Sequence, residues 1–262
     1  MKKTGKTWHV ERVEETPSTN DLAREYLLNL WQDGNAPRDA GCRAFVAERQ
    51  TSGRGQHGRR WESPPGGLYL SAIVQDVEPR FRSRLAIIAG VAVGYALRDV
   101  TTTEPQLRWP NDIVVEGKKL GGILCEAVAL NDRWEGIVGI GLNVNTRLDR
   151  LPPEVRTRST SLFELTGRST SLDHVELYLL GRLADMLQRV RVEGLAPIVE
   201  RFARWDALAG HRVVVSIDDR TVEGTAAGVT ADGALRVTGG AGERIIDRGT
   251  LLEIDGQRLR HT

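Results

Sequence analysis

Aromatic residues are scarce in this chain, at 5% of 262 residues, and it holds only two cysteines. So few rings speak against a surface that stacks single-stranded bases. Cys42 and Cys125 lie far apart with no CxxC spacing, so neither a zinc site nor a disulfide framework is indicated, and two buried, reduced thiols are expected. No stretch of about 18 apolar residues occurs, so no membrane-spanning helix is expected. The lysines of the opening MKKTGKTWHVERVEE have no apolar segment behind them, which gives no signal peptide and points to a cytoplasmic protein. An excess of one charge is missing too: 36 Lys and Arg face 35 Asp and Glu. That balance exerts no general pull on DNA or an anionic membrane, so anion binding has to be local. A 40% hydrophobic content suffices for a sizeable core, in one large domain or a domain with a small appendage.

What is present alternates between strand and helix patterns. HVERVEE (9–15) reads as a strand and STNDLAREYLLNLW as a helix, with the change at Pro17. CRAFVAER (42–49) and GLYLSAIVQD (67–76) read as strands that fasten the loop between them, and RLAIIAGVAVGYALRDV (84–100) as a largely buried helix whose Gly90 and Gly94 allow close packing. QLRW, DIVVEG with a turn at Gly117-Lys118, LGGILCEAVAL and WEGIVGIGLNVN suit a mixed or antiparallel sheet. Residues 151–158 read as an irregular connection. DHVELYLLGRLADMLQRVRVEG reads as a helix opened by Asp173 and Glu176 at capping-box spacing and closed at Gly194. After Trp205, short β-rich runs between Asp-Asp, Asp-Gly and Gly-Gly turns predict a small β-barrel. The fold class is α+β, with a main domain at 1–205 and a β domain at 206–262.

Four polar clusters stand out. QTSGRGQHGRRW (50–61) has glycines that let N–H groups point inward and arginines that grip phosphate or carboxylate; it is either an anion cradle or a basic surface loop. Its spacing is not that of a P-loop. In RWPND (108–112) a Trp-Pro step fixes the backbone ahead of Asn111 and Asp112, and a hairpin would return Lys119 beside them; the bland reading is an ordinary hairpin with a solvated lysine. Gly121 and Gly122 permit a ligand to approach closely. GIGLNVN (139–145) lacks the GxGxxG spacing of a dinucleotide site. PSTN (17–20) is a polar turn that would serve equally as a plain helix cap.

In this order and at these separations, PSTN, AERQTSGRGQHGRRW, GLYLS, RWPNDIVVEGKKLGGILCE and GIGLNVN closely resemble the biotin protein ligases, over about residues 10 to 145. The resemblance implies a class II synthetase-like mixed sheet of the biotin–lipoate ligase type, with a C-terminal SH3-like barrel. It implies that biotin and ATP, the latter with Mg2+ as a substrate complex, form biotinyl-AMP, whose acyl group passes to a lysine of a biotin carboxyl carrier domain. No metal-ligating residues are assigned to the protein itself. Carried over by position, Ser18, Thr19 and Gln50, with Asn20 beside them, match biotin-ring contacts. Gly53, Arg54, Gly55, Gln56, Arg59 and Trp61 belong to the segment that closes over carboxylate and phosphate, and Gly121 and Gly122 to the substrate site. Lys119 is the implied catalytic cation, together with Arg54, and Asp112 orients or deprotonates the incoming lysine. Asn111 implies a phosphate contact and Asn143 an adenine-side one. Gln56 departs from the family's usual GRGRxGR loop, where arginine is common. Some eight residues precede the first strand, too few for a DNA-reading domain, so no repressor function is expected. A homodimer, with GLYLSAIVQD as an edge strand, is a further expectation. The competing readings are a lipoate or octanoate ligase with an apolar acyl pocket, and a nucleic-acid-binding protein using the Gly-Arg loop.

Overall fold

The computed structural model describes residues 7–32, 42–75, 78–130, 133–218, 220–240 and 242–259; the opening lysines lie outside them. Strands β1 (Trp8–Thr16), β2 (Cys42–Gln50) and β3 (Leu68–Val74) lie on one side of a seven-stranded sheet, and β4 (Gln106–Arg108), β5 (Asp112–Val115), β6 (Lys118–Leu130) and β7 (Arg133–Leu142) complete it. The order is β1-β2-β3-β7-β6-β5-β4, with β1 and β2 parallel and every other neighbouring pair antiparallel. This is the expected mixed sheet. Strand β3, expected at an edge, instead lies between β2 and β7 and is buried at all seven positions. Its unbroken apolar run is the pattern of an interior strand, so it offers no edge for a second copy.

The two faces of the sheet carry different helices. Helix α1 (Thr19–Gln32) packs Ala23 and Leu27 against Phe45, Ile73, Val128 and Ile137 on one face. Helix α2 (Leu85–Val100) lies on the other with the residues of opposite parity, among them Leu70, Ile123 and Val138. Behind α2, after the short α3 (Pro153–Arg156) and α4 (Leu162–Thr166), come α5 (Leu172–Glu193) and α6 (Ala196–Ala203). The connection at 151–158 is thus partly helical. Ser171, not Asp173, caps α5, its hydroxyl accepting from the His174 N–H, while Glu176 pairs with Arg12 of β1. Gly194 ends the helix as expected.

The C-terminal strands β8 (Arg212–Ile217), β9 (Arg220–Val229), β10 (Leu235–Gly239), β11 (Gly242–Ile246), β12 (Thr250–Ile254) and β13 (Gln257–Arg258) form an antiparallel sheet in the order β11-β10-β9-β8-β12-β13. Its two ends do not pair, which corrects the expected closed barrel. The chain enters this sheet attached to the first one: the Leu107 N–H donates to the Trp205 carbonyl at 2.7 Å and the Ala207 N–H to the Leu107 carbonyl at 3.0 Å. Among the described residues, no helix is long and apolar enough to cross a membrane. Cys42 and Cys125 are free and only partly buried.

Candidate active site

Beyond the N-terminus of α1, its face of the sheet is left open as a cleft of about 210 Å³. Two glycines of GIGLNVN shape the floor. A Cβ on Gly139 would stand 2.2 Å from Asn20 Oδ1, and one on Gly141 would stand 2.6 Å from Trp61 Nε1. The motif is therefore a seat for the side chains of α1 and of the Gly-Arg loop.

At one end lies a relay of neutral side chains that runs to the Glu126 carboxylate. The Thr19 N–H donates to Gln50 Oε1 at 2.9 Å, and Gln50 Nε2 donates to Ser63 Oγ at 2.8 Å. Ser71 Oγ lies 2.7 Å from Thr19 Oγ1 and 2.6 Å from Asn20 Oδ1. A hydroxyl has one proton and an amide oxygen only accepts, so Ser71 donates to Asn20 and receives from Thr19. Asn20 Nδ2 then donates to Glu126 Oε2 at 2.7 Å. These groups are fixed in orientation before any ligand arrives, and Ser18, also buried, lines the same end.

The loop at 50–61 closes on itself: the Trp61 N–H donates to the Gly53 carbonyl at 2.9 Å and the Gly55 N–H to the Arg59 carbonyl at 2.7 Å. Gly53 serves that closure, since a Cβ there would stand 2.4 Å from the Trp61 carbonyl, and it does not line the cleft. Arg54 does line it, but its guanidinium forks onto Asp21 of α1 at 2.8 and 2.6 Å. That pairing holds the Asp21 carboxyl below its ordinary pKa, against the opposing effect of burial.

The opposite end is cationic. Val115 pairs with Lys118, so the hairpin turns on Glu116 and Gly117, at φ 50° and 76°, one residue earlier than expected. Both positive φ values mark the tight turn that suits a two-residue hairpin. A bulge at Leu120 then shifts the register, so that Lys119 faces the same side as Gly122 while Leu120 goes to the core. Lys119 Nζ reaches Asp112 Oδ1 at 2.6 Å and lies 5.3 Å from the centre of a Trp61 ring. Arg108 Nη2 holds the other Asp112 oxygen at 2.8 Å. Burial would raise the Asp112 pKa, but the Lys119 and Arg108 charges outweigh it and keep the carboxyl below its usual range.

Of the sequence-expected residues, Ser18, Thr19, Asn20, Gln50, Arg54, Gly55, Gln56, Arg59, Trp61, Asn111, Asp112, Lys119, Gly122 and Asn143 converge on this one cleft. Gly121 does not: it faces Leu142, 2.4 Å from where its Cβ would be. Asn111 Nδ2 donates to the Ile123 carbonyl at 2.8 Å, and buried Asn143 donates to the Thr160 carbonyl at 3.0 Å, so both brace main chain around the site. Sequence reasoning missed Asp21, Ser71, Arg108, Glu126 and Arg158. Arg108, Ser71 and Glu126 lie within the motifs already singled out and Asp21 directly follows PSTN, whereas Arg158 carries no local signal. Among the described residues no group of three or more His, Cys, Asp or Glu side chains is placed to hold a metal.

The model of the biotin/lipoate A/B protein ligase family matches residues 14–143. The bifunctional ligase/repressor BirA of Bacillus spizizenii is 32% identical over 87% of this chain and 68% of its own length. A biotin–[acetyl-CoA-carboxylase] ligase of Mycobacterium tuberculosis is 31% identical over 68% of this chain and 64% of its own. The chain thus spans roughly two thirds of each of these curated relatives. The structure of a biotin protein ligase from Aquifex aeolicus in complex with biotin and ATP superposes with a TM-score of 0.80 at 28% identity, covering 95% of this chain and 99% of that one. With the sheet, the cleft and these relatives in agreement, the chain belongs to the biotin/lipoate A/B protein ligase family, among its biotin protein ligases.

Proposed function

We propose that the protein joins biotin to ATP, giving biotinyl-5′-AMP and pyrophosphate, and then transfers the biotinyl group to the ε-amine of one lysine on the carrier domain of a biotin-dependent carboxylase. The observation that carries this reading is a single cleft with one end of neutral hydrogen-bonding side chains and a cationic end. The first end suits the neutral, polar ring of biotin; the second suits a carboxylate meeting a phosphate. A carboxylate oxygen attacks the α-phosphorus and the bond to pyrophosphate breaks. In the second step the amine attacks the acyl carbonyl and AMP leaves. Lys119 neutralises the approaching oxygens and Trp61 holds its ammonium in place, so catalysis is placement and charge stabilisation. Asp112, kept ionised by its two cations, orients Lys119 and the incoming amine; its low pKa makes it a poor base.

On the same reading, MgATP enters as substrate, residues 1–205 form the catalytic part and 206–262 a small β unit, in a cytoplasmic enzyme. The polar lining at Thr19, Asn20 and Gln50 favours biotin, whose ring carries hydrogen-bonding groups, over the apolar acyl chain of lipoate or octanoate. The test is to mix the protein with biotin, MgATP and a carrier domain and to follow the carrier by mass spectrometry. A gain of one biotinyl group is expected. No gain with folded protein and a competent carrier overturns the proposal, and a gain with lipoate but not biotin selects the alternative.

A further inference from the structure

Asn20 sits where three strands meet. The register sets Ser71 of β3, Gly139 of β7 and Leu124 of β6 side by side, and Asn20 lies over the glycine with its amide between Ser71 and Glu126. Asn20 Nδ2 faces two acceptors, the Glu126 carboxylate at 2.7 Å and the Leu124 carbonyl at 3.4 Å, and a reversed amide would set its oxygen against both. The Asn20 oxygen therefore faces Ser71, Ser71 donates to it, and Thr19 gives its own proton to Ser71. All three donors thus point toward Glu126, whose other oxygen lies 3.3 Å from the Arg24 guanidinium. Ser71 is fully buried and Thr19 and Asn20 nearly so, which keeps water from supplying other partners.

We propose that Glu126 is a positioning residue for substrate choice: by accepting from Asn20 it sets the direction of every proton in the relay and leaves the Thr19 hydroxyl an acceptor toward the cleft. Thr19 lines the cleft, and with its proton on Ser71 the hydroxyl shows a ligand only lone pairs. Gln50 is ordered separately, because the Ser63 hydroxyl donates to the Trp61 carbonyl at 3.2 Å and so receives from the Gln50 amide. The cleft then selects a ring that carries an N–H at Thr19 over one with oxygen there, which would bring two acceptors together. Glu126 itself does not line the cleft, so its effect on a ligand runs through Asn20, Ser71 and Thr19. This inference rests on the reading of the protein as a biotin ligase, since the ring of biotin carries such N–H groups.

The experiment compares full-length wild type with Glu126→Gln and Ser71→Ala. Titration calorimetry measures the binding of biotin and of its two cyclic carbamate analogues, each with oxygen in place of one ring N–H. Wild type should bind one analogue about tenfold or more less tightly than biotin, the scale of one hydrogen bond replaced by opposed acceptors. In Glu126→Gln the side-chain oxygen turns to Arg24 and the amide N–H to Asn20, which reverses the relay and gives Thr19 a proton to donate. Biotin affinity should fall about tenfold while the disfavoured analogue loses less or gains, so the ratio between them shrinks. Ser71→Ala frees the Thr19 proton, should shrink the ratio in the same way, and decides the question if Glu126→Gln does not fold. Equal binding of biotin and both analogues by wild type overturns the proposal. So does an unchanged ratio in the variants, including an equal loss for all three ligands, which would make Glu126 a packing residue. Should wild type bind no biotin, the ligase reading falls, while neutron diffraction of the unliganded protein still decides the relay: a Ser71 proton directed at Thr19 instead of Asn20 overturns it.

Discussion

Asp112 sits between two cations, and removing one of them tests both its charge state and the chemistry. Lys119→Ala should slow adenylate formation by about 10²-fold or more, the scale for losing a preorganised charge stabiliser, with a smaller effect on biotin affinity. The same substitution leaves Arg108 as the remaining direct partner of Asp112, so its carboxyl pKa should rise. The sign of the stability effect follows. A depressed folded pKa contributes stability that is present above about pH 4, the unfolded value, and is lost as pH falls through the folded value. Wild type should therefore lose more stability than Lys119→Ala between about pH 4 and pH 2, measured by urea unfolding. Near wild-type pyrophosphate release in the mutant would remove Lys119 from the mechanism, and parallel acid profiles would contradict the assigned ion pair.

At the level of elements, the Gly-Arg loop carries the chain's clearest departure from its family pattern. Arg54 is taken up by Asp21, Arg60 pairs with Glu62 at 2.9 Å, and the Arg59 charge acts on Asp112. Gln56 lines the cleft in the one-turn segment between them. Gln56→Arg should slow biotinyl-AMP dissociation in a stopped-flow chase by about tenfold or more, if a new guanidinium reaches the phosphate. An unchanged or faster rate would mean that the existing cations suffice and a further charge only repels them. The elements themselves were largely readable, because period-two alternation and turn residues are local signals: β5, the turn and β6 came within two residues. The bulge at Leu120 was not, since KKLGGI fits either register until the neighbouring strand is known. Arg54 with Asp21 and Asn20 with Ser71 and Glu126 join residues 33 to 106 positions apart, and spacing says nothing of such pairs. The edge assignment of β3 failed for a legible reason, because LYLSAIV is apolar on both faces and an exposed edge is not.

At the scale of the whole molecule, the C-terminal sheet is docked on the first one and reaches its cleft. Trp109 Nε1 donates to the Gly233 carbonyl at 3.3 Å, and buried Arg84, at the start of α2, pairs with Asp247. Gly249, Thr250, Leu251 and Leu259 line the cleft from this side, so its shape depends on how tightly the two sheets meet. Asp247→Asn leaves the Arg84 charge buried without its ion partner, while most of the catalytic cleft is untouched. Such a loss, of about 1.5 to 3 kcal/mol, should lower Tm by several degrees, as roughly 2 to 4 °C accompany each kcal/mol in a chain of this class. If the second sheet is a wall of the active site, adenylate formation should slow well below the new Tm, and Leu251→Ala, which trims that wall without touching the ion pair, should slow it as well. A fall in Tm with full activity in both variants would reduce the C-terminal sheet to a stabilising cover. Loss of activity in Leu251→Ala alone would instead mean that the leucine contacts the substrate and that the Arg84–Asp247 pair has no part in holding it there.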